Sequence, residues 1–414
     1  MQDKKRRIKT IVLVSVVLVV AIVAIVFLKP FFPVPPCTGA GNRVANVDEL
    51  DACIDETVRA RGLPGMAVAV VANGEVAWSQ GYGYANIEEG RPVTADTPFL
   101  LASISKTVTG TALMRAWEEG AFSLDDNVND LLPFEVDNPQ VEGEIITVRH
   151  LATHSSSIED NGEVYDSSYA PGDPDIPLGE FLHDYFSADG KSYDPDENFS
   201  ANMPGEVFSY SNVAVGLAGY LVETTTGTPL DAYSREHIFE PLAMDNTGWF
   251  LSDFEDTGVI AVPYKSTRQG KVALEHYGFS TWPDGLVRAS ANDLARFQAA
   301  IMNGGELDGQ RILQEATVET MLEPQFPDME MDFVEHTILF PHSQQALFWH
   351  SYNGWYGHEG GDDGAATFMY FDPETQVGAV VLINQADATS YMAGRRILQL
   401  VLRSGDNLSS TLDG

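Results

Sequence analysis

Ser103-Ile104-Ser105-Lys106 sets a hydroxyl and an amine three positions apart at the front of an apolar run, residues 100–119. On a helix, positions so spaced share a face one turn apart. A serine is a weak nucleophile near neutral pH until a neighbouring base takes its proton, and a buried lysine can be that base. The chemistry open to such a pair is acyl transfer through a covalent serine ester. No other Ser-x-x-Lys occurs in the 414 residues. The spacing is common by chance, so two later segments carry much of the weight.

The first of these ends in Tyr210-Ser211-Asn212, directly ahead of a helical run, residues 213–225. The phenol of Tyr210 could share or relay the serine proton, and the amide of Asn212 could hold Lys106 or a substrate carbonyl. The second is His358-Glu359-Gly360-Gly361. An alternating run at 366–372, a Pro-Glu-Thr turn and an apolar run at 376–384 follow it and read as a β-hairpin. His358 then lies on the strand just before the hairpin, where glycines let a substrate approach the backbone.

In this order, Ser103-x-x-Lys106, Tyr210-x-Asn212 and His358-x-Gly360 resemble the three marks of the serine β-lactamase and penicillin-binding-protein family. The branch they resemble holds class C β-lactamases, D-aminopeptidases, D,D-carboxypeptidases and related esterases. Flanking text agrees: Gly81-Tyr82-Gly83-Tyr84-Ala85, residues 148–154 and residues 293–297. The resemblance spans about residues 47–403. It implies an α+β, β-lactamase-like fold: an antiparallel sheet built from both chain ends and flanked by helices, beside a mostly helical second lobe. It implies Ser103 as nucleophile, Lys106 and Tyr210 as the base, and Asn212, His358 and Gly360 as orienting groups. His358 would hydrogen-bond near the Ser103–Tyr210 pair. The oxyanion donors it points to are the backbone N–H groups of Ser103 and Gly361. The implied partner is a small-molecule or peptidic acyl substrate, with no metal and no organic cofactor. The alternatives are a D-aminopeptidase or D,D-carboxypeptidase, or a binding protein that kept the fold and lost turnover.

Two departures from the family pattern stand out. His358 replaces a lysine whose fixed charge would attract a substrate carboxylate, and Glu359 adds negative charge beside it, so efficient penicillin hydrolysis is not expected. Ser155-Ser156-Ser157 stands where Thr-Ser-Gly is usual. For an amine-bearing substrate, the acidic segment 159–196 is a candidate pocket.

Other matches read as structure. Tyr84-Ala85-Asn86 falls in an early hairpin, and Ser290 of Ser290-Ala291-Asn292 reads as a helix N-cap. His150 and His154 are four apart, but Leu151 stands where a zinc motif needs glutamate. The alternating oxygens from Asp194 to Ser200 suggest calcium weakly, for the loop glycine is missing. No Gly-x-Ser-x-Gly is present, which argues against an α/β-hydrolase elbow.

The net charge is −36. So acidic a surface disfavours nucleic acid and anionic lipid partners, and it resembles the surfaces of proteins from saline surroundings. Lys4, Lys5, Arg6, Arg7 and Lys9 precede an uncharged apolar run at 11–28. At 1.5 Å per residue such a helix spans about 27 Å, close to one hydrocarbon core. With the basic cluster inside, residues 1–29 are expected to form a single-pass transmembrane anchor in the cell membrane, with the catalytic domain extracytoplasmic. A cleaved signal peptide is the alternative. Residues 30–46 read as a Pro-rich spacer, 47–403 as the hydrolase domain and 404–414 as a tail. The two cysteines, Cys37 and Cys53, both lie outside the membrane in this topology, where a disulfide between them could persist. Asn198-Phe199-Ser200 and Asn407-Leu408-Ser409 match the glycosylation pattern.

The elements that must position the motifs follow from periodicity. Helices are expected at 47–61, 100–119, 147–153, 178–186, 291–303, 314–322 and 390–403. Strands at 65–72 and 75–82 are joined by Asn73-Gly74, a strong hairpin signal.

Overall fold

The computed structural model describes residues 43–326, 329–331 and 344–412. In chain order, α1 is Val47–Arg61, α2 Ser105–Glu118, α3 Val148–Ala152, α4 Gly162–Ser167 and α5 Leu178–Phe186. Then come α6 Asn212–Thr226, α7 Ala291–Met302, α8 Glu315–Leu322, α9 Ala388–Arg403 and α10 Gly405–Leu412. The main sheet comprises β1 Gly65–Ala72, β2 Glu75–Asn86, β3 Arg91–Pro92, β4 Gln344–Gln345, β5 His350–Tyr352, β6 Trp355–Asp362, β7 Ala365–Asp372 and β8 Val377–Ile383. Its spatial order is β4-β5-β6-β7-β8-β1-β2-β3, antiparallel throughout. The seam where the two chain ends meet is β1 against β8, with Met66 opposite Ile383 and Ala72 opposite Val377.

That seam explains the composition of its strands. Both β1 and β8 are buried along their whole length, so they read as near-continuous apolar runs rather than alternating ones. The Asn73-Gly74 turn has φ of +53° and +81°, as a two-residue hairpin loop of the mirror-image type needs.

Period-two alternation sorts β6 and β7 into two faces. Phe368 of β7 packs on Gly394 of α9, while Thr367 bonds Leu101 on the other side. Glu359 is opposite Phe368 and Gly360 opposite Thr367. His358, Gly360 and Asp362 therefore face the helical lobe, and Glu359 and Gly361 face α9. The helical lobe shares one apolar core with that sheet face, including Val108, Leu113, Leu151, Leu217, Phe279 and Met369.

Several expectations need correction. The expected tail folds: α10 follows α9 directly, Asn407 Nδ2 donates to Val44 O at 2.8 Å, and Val44 N donates to Ser404 Oγ at 2.9 Å. Residues from Val44 onward thus belong with the domain. Asn198 is fully buried, its amide bonded to Tyr185 O and Ser192 O, so the folded chain offers no acceptor there. Asp194 accepts from the amides of Asp196 and Glu197 in its own turn, an Asx-turn that accounts for the alternating oxygens. Cys53 is buried on α1, and no free cysteine occurs among the described residues. Cys37 and the apolar run at 11–28 lie outside the described residues. Within them, no helix is long and apolar enough to cross a membrane.

Candidate active site

Leu100 and Leu101 do not open the helix as their apolar character suggests. Phe99–Leu100 pairs with Arg288–Ala289 as a two-residue ladder, and Leu101 N donates to Val287 O at 2.8 Å. Leu101 O accepts from Thr367 Oγ1 at 2.6 Å. Tertiary hydrogen bonds thus override helix propensity here. Ala102 then adopts a left-handed φ of +48°, an uncommon conformation for a residue with a Cβ. A single 3-10 turn, Ala102–Ile104, carries Ser103 before α2 begins. The sharp turn presents Ser103 at the end of the helix with its backbone N–H in the first turn, where helices lack internal acceptors.

Lys106, one turn on, is fully buried. Its Nζ lies 3.0 Å from Ser103 Oγ, 2.7 Å from Asn212 Oδ1 and 2.9 Å from Asp284 O. The last two are acceptors only. A neutral amine has two hydrogens and one lone pair. With both hydrogens given to Asn212 and Asp284, the lone pair is left facing Ser103. The Asn212 orientation is fixed by its other end, because Nδ2 donates to Asp160 Oδ2 at 2.9 Å.

Asp160 is the hidden organiser of this corner. Its carboxylate also accepts from Asn212 N at 2.9 Å, Val213 N at 3.0 Å and Ser211 Oγ at 2.8 Å. It satisfies orphan N–H groups at the start of α6, where the helix dipole favours negative charge. Asp160→Ala is expected to lose about 2 kcal/mol of stability. Release of Asn212 should lower kcat/KM by about a hundredfold; thermal melts and steady-state kinetics on one preparation separate the two effects.

Tyr210 completes the cluster from the loop before α6. Burial pushes its phenol up; the Lys106 charge and hydrogen bonds to Lys106 and Ser103 pull against this without reversing it. Tyr210 therefore stays protonated near neutral pH and can donate. Lys106 Nζ sits 4.9 Å from its ring centroid, and His154 stacks on the ring at 4.4 Å between centroids. His150 closes the capping box of α3 with Thr147. The two histidines thus serve packing and capping.

On the sheet side, His358 is buried and bonds His350 rather than the Ser103–Tyr210 pair. The two Nε2 atoms are 3.1 Å apart, and His358 Nδ1 is 2.5 Å from Glu359 O. A carbonyl accepts only, so Nδ1 carries the proton and His350 donates to His358 Nε2. Burial, then the charges of His350 and Lys106, push His358 well below the ordinary imidazole range, so it is neutral. Glu359 does not add charge to the cleft as expected. It points to the α9 face and pairs with Arg395 at 3.1 Å.

Gly360 and Gly361 are required for different reasons. A Cβ on Gly360 would fall 2.2 Å from Leu101 O, 2.4 Å from Thr367 Oγ1 and 3.0 Å from Ser103 N. A Cβ on Gly361 would fall 1.9 Å from the Tyr391 hydroxyl on α9. The bare backbone of β6 can thus lie against the Ser103 turn, bringing the Gly361 strand and the Ser103 N–H to one cleft.

Three participants were not singled out from sequence: Asp160, His350 and Asp284. Asp160 lies two residues past Ile158, and only its pairing with a helix start fifty residues away reveals it. Asp284 sits in Trp282-Pro283-Asp284-Gly285, which reads as a turn. Its carboxyl is buried 3.8 Å from Lys106 Nζ and receives the Tyr165 hydroxyl at 3.2 and 3.4 Å. Burial pushes it up to about 7, against the Lys106 charge and with help from Asp160 and Asp362.

The beta-lactamase family model matches residues 50–403. The chain belongs to the beta-lactamase family. It is 28% identical over 348 residues to a beta-lactamase of Yersinia enterocolitica, covering 78% of this chain and 83% of that one. It is 32% identical over 228 residues to esterase EstB of Burkholderia gladioli, covering 52% of this chain and 54% of that one. Among solved structures, it resembles the octameric penicillin-binding protein homologue from Pyrococcus abyssi, with TM-score 0.69 and 26% identity, covering 86% of this chain and 77% of the other. As a member of this family the chain is a serine hydrolase, and the Ser103 cleft is where this family's three motifs converge in it.

Proposed function

We propose that the chain hydrolyses an ester or amide through an acyl-enzyme on Ser103, as a membrane-anchored extracytoplasmic enzyme held by residues 11–28. Ser103 Oγ attacks the carbonyl and its proton passes to Lys106. Tyr210 relays that proton to the leaving group. The N–H groups of Ser103 and Gly361 receive the developing oxyanion. Asn212 holds Lys106 in register, and water later releases the acid. The observation that carries this reading is the Lys106 amine, 3.0 Å from Ser103 Oγ with its other two bonds to acceptors.

Labelling of the full-length protein in detergent with a fluorophosphonate, in low and high salt, tests it. Peptide mapping should find the adduct on Ser103. Folded protein that takes no label in either salt would favour the binding-protein reading. With neutral His358 in place of a fixed cation, penicillin turnover is expected to be much slower than that of a neutral activated ester.

A peptidase-like reading, with a free amine on the acyl group, is favoured by Asp362. In the segment 159–196, four of the carboxylates are engaged elsewhere. Glu159 bonds Ser209, Asp160 caps α6, Asp173 holds the amides of Leu251 and Ser252, and Asp184 pairs with Lys191. Asp362 instead ends β6 on the cleft face, with the Tyr169 hydroxyl donating to it at 3.2 Å, and no cation pairs with it among the described ion pairs. Asp362→Asn is expected to raise KM for a free-amine aminoacyl ester about tenfold and to leave the N-acetylated ester unchanged. Equal effects on both esters would remove this reading.

A further inference from the structure

Lys106 has two kinds of contact with residue 284, and only one involves the side chain. The main-chain oxygen at 2.9 Å would survive any substitution that keeps the turn. The carboxyl at 3.8 Å would not. We infer that Asp284 is a positioning residue whose carboxyl group governs the charge on Lys106, and so the pH at which Ser103 becomes reactive. This rests on the Ser103 acyl-enzyme reading above.

The argument is electrostatic and geometric. Both side chains are buried, with 0% and 3% of their surface exposed, so solvent screens their interaction little. Lys106 must give up a proton before its lone pair can serve Ser103. An ionised Asp284 at this distance favours the ammonium form and opposes that step. A neutral Asp284 does not.

Other groups set the state of Asp284 from every side. Asp160 comes from the loop ahead of α4 and Asp362 from the end of β6; both are carboxylates and favour the protonated form. Hydrogen bonding from Thr281 and from the Tyr165 hydroxyl on α4 favours the ionised form. Tyr169, just past α4, touches Tyr165 at 3.5 Å, and the charge of Asp284 acts on it and on Tyr210. The Asp284 group itself titrates near neutrality, since it is pushed up to about 7. It can therefore change charge near neutral pH.

The sign follows. Asn at 284 keeps the turn, the volume and the main-chain acceptor but can carry no negative charge. The ammonium form of Lys106 then lacks its nearest opposite charge, and the rising limb of Ser103 reactivity moves toward acid. The experiment is the rate of fluorophosphonate labelling against pH for the wild-type chain, Asp284→Asn and Tyr165→Phe. Labelling needs no known substrate. The midpoint should fall by about one pH unit or more in Asp284→Asn, as expected for removing a unit charge this close. It should fall by less in Tyr165→Phe, where the carboxyl is harder to ionise. A midpoint that stays put in both variants, or rises in Asp284→Asn, overturns the assignment. A lower plateau with an unmoved midpoint does the same, because it marks a purely structural role. Should Asp284→Asn fail to fold, the direction of the Tyr165→Phe shift decides. Wild-type protein that takes no label at any pH overturns the acyl-enzyme reading itself, a result distinct from an unmoved midpoint.

Discussion

Replacing Lys106 by alanine is expected to lower kcat/KM for an activated ester by about 10³- to 10⁴-fold and to abolish the fluorophosphonate adduct on Ser103. Nζ is within 3.0 Å of Ser103 Oγ, and Tyr210, pushed up by burial, cannot take over as a phenolate near neutral pH. Alanine has a second effect. It empties a fully buried site and leaves Asn212 Oδ1 and Asp284 O without their donor, so stability should fall by about 2–4 kcal/mol. Lys106→Met keeps most of the volume and separates the two. A methionine variant that melts near the wild type but takes no label places the loss in the chemistry. Ser103→Ala should cost as much as Lys106→Met, and the pair together little more, because groups acting as one unit are non-additive. A methionine variant that still labels at a rate near that of the wild type would remove Lys106 from the base role.

The amino-acid sequence made the motif residues legible because their constraints are local. Ser103 and Lys106 share a helix face, Asn73-Gly74 closes a hairpin, and Ser290 caps α7 by accepting from Asp293 N at 3.1 Å. The boundaries of α1, β1 and α5 follow from periodicity and end signals within a dozen residues. What stayed hidden depends on distant partners. Leu100 and Leu101 look like helix, yet Leu100 pairs with Arg288 in a short ladder and Val287 and Thr367 hold Leu101 outside α2. Asp160 looks like one acid in an acidic stretch until the start of α6 is folded onto it. His350 matters only because β5 lies beside β6, which brings it opposite Gly357 and within reach of His358. The motif puts Glu359 beside His358 in sequence, but a strand alternates its faces, and Glu359 pairs with Arg395 on the α9 side. Ser157, where the family pattern it resembles carries glycine, takes a left-handed φ of +61°, a conformation glycine adopts without steric cost.

Gly360→Ala is the second large effect, and its comparison with Gly361→Ala discriminates between rigid and yielding neighbours. At Gly360 the new methyl meets Leu101 O, a backbone atom pinned by Thr367 and by the ladder to Arg288–Ala289. It has no rotamer through which to escape. Either β6 retreats from between β5 and β7, or the turn carrying Ser103 does. Both movements part the Ser103 and Gly361 N–H groups, and loss of one oxyanion donor costs about 10²- to 10³-fold in kcat. At Gly361 the methyl meets the end of the Tyr391 side chain, the hydroxyl at 1.9 Å and Cζ at 3.0 Å. Gly361→Ala should therefore lose about tenfold or less, and adding Tyr391→Phe should restore most of it by deleting the atom in the way. No second substitution of that kind rescues Gly360→Ala, because the nearest atom it strikes, Leu101 O, is main chain and remains even if the Thr367 hydroxyl is removed. Measured kcat/KM values for the three variants test the ordering. Equal losses at 360 and 361, or no rescue by Tyr391→Phe, would mean that β6 does not form the oxyanion side of the cleft.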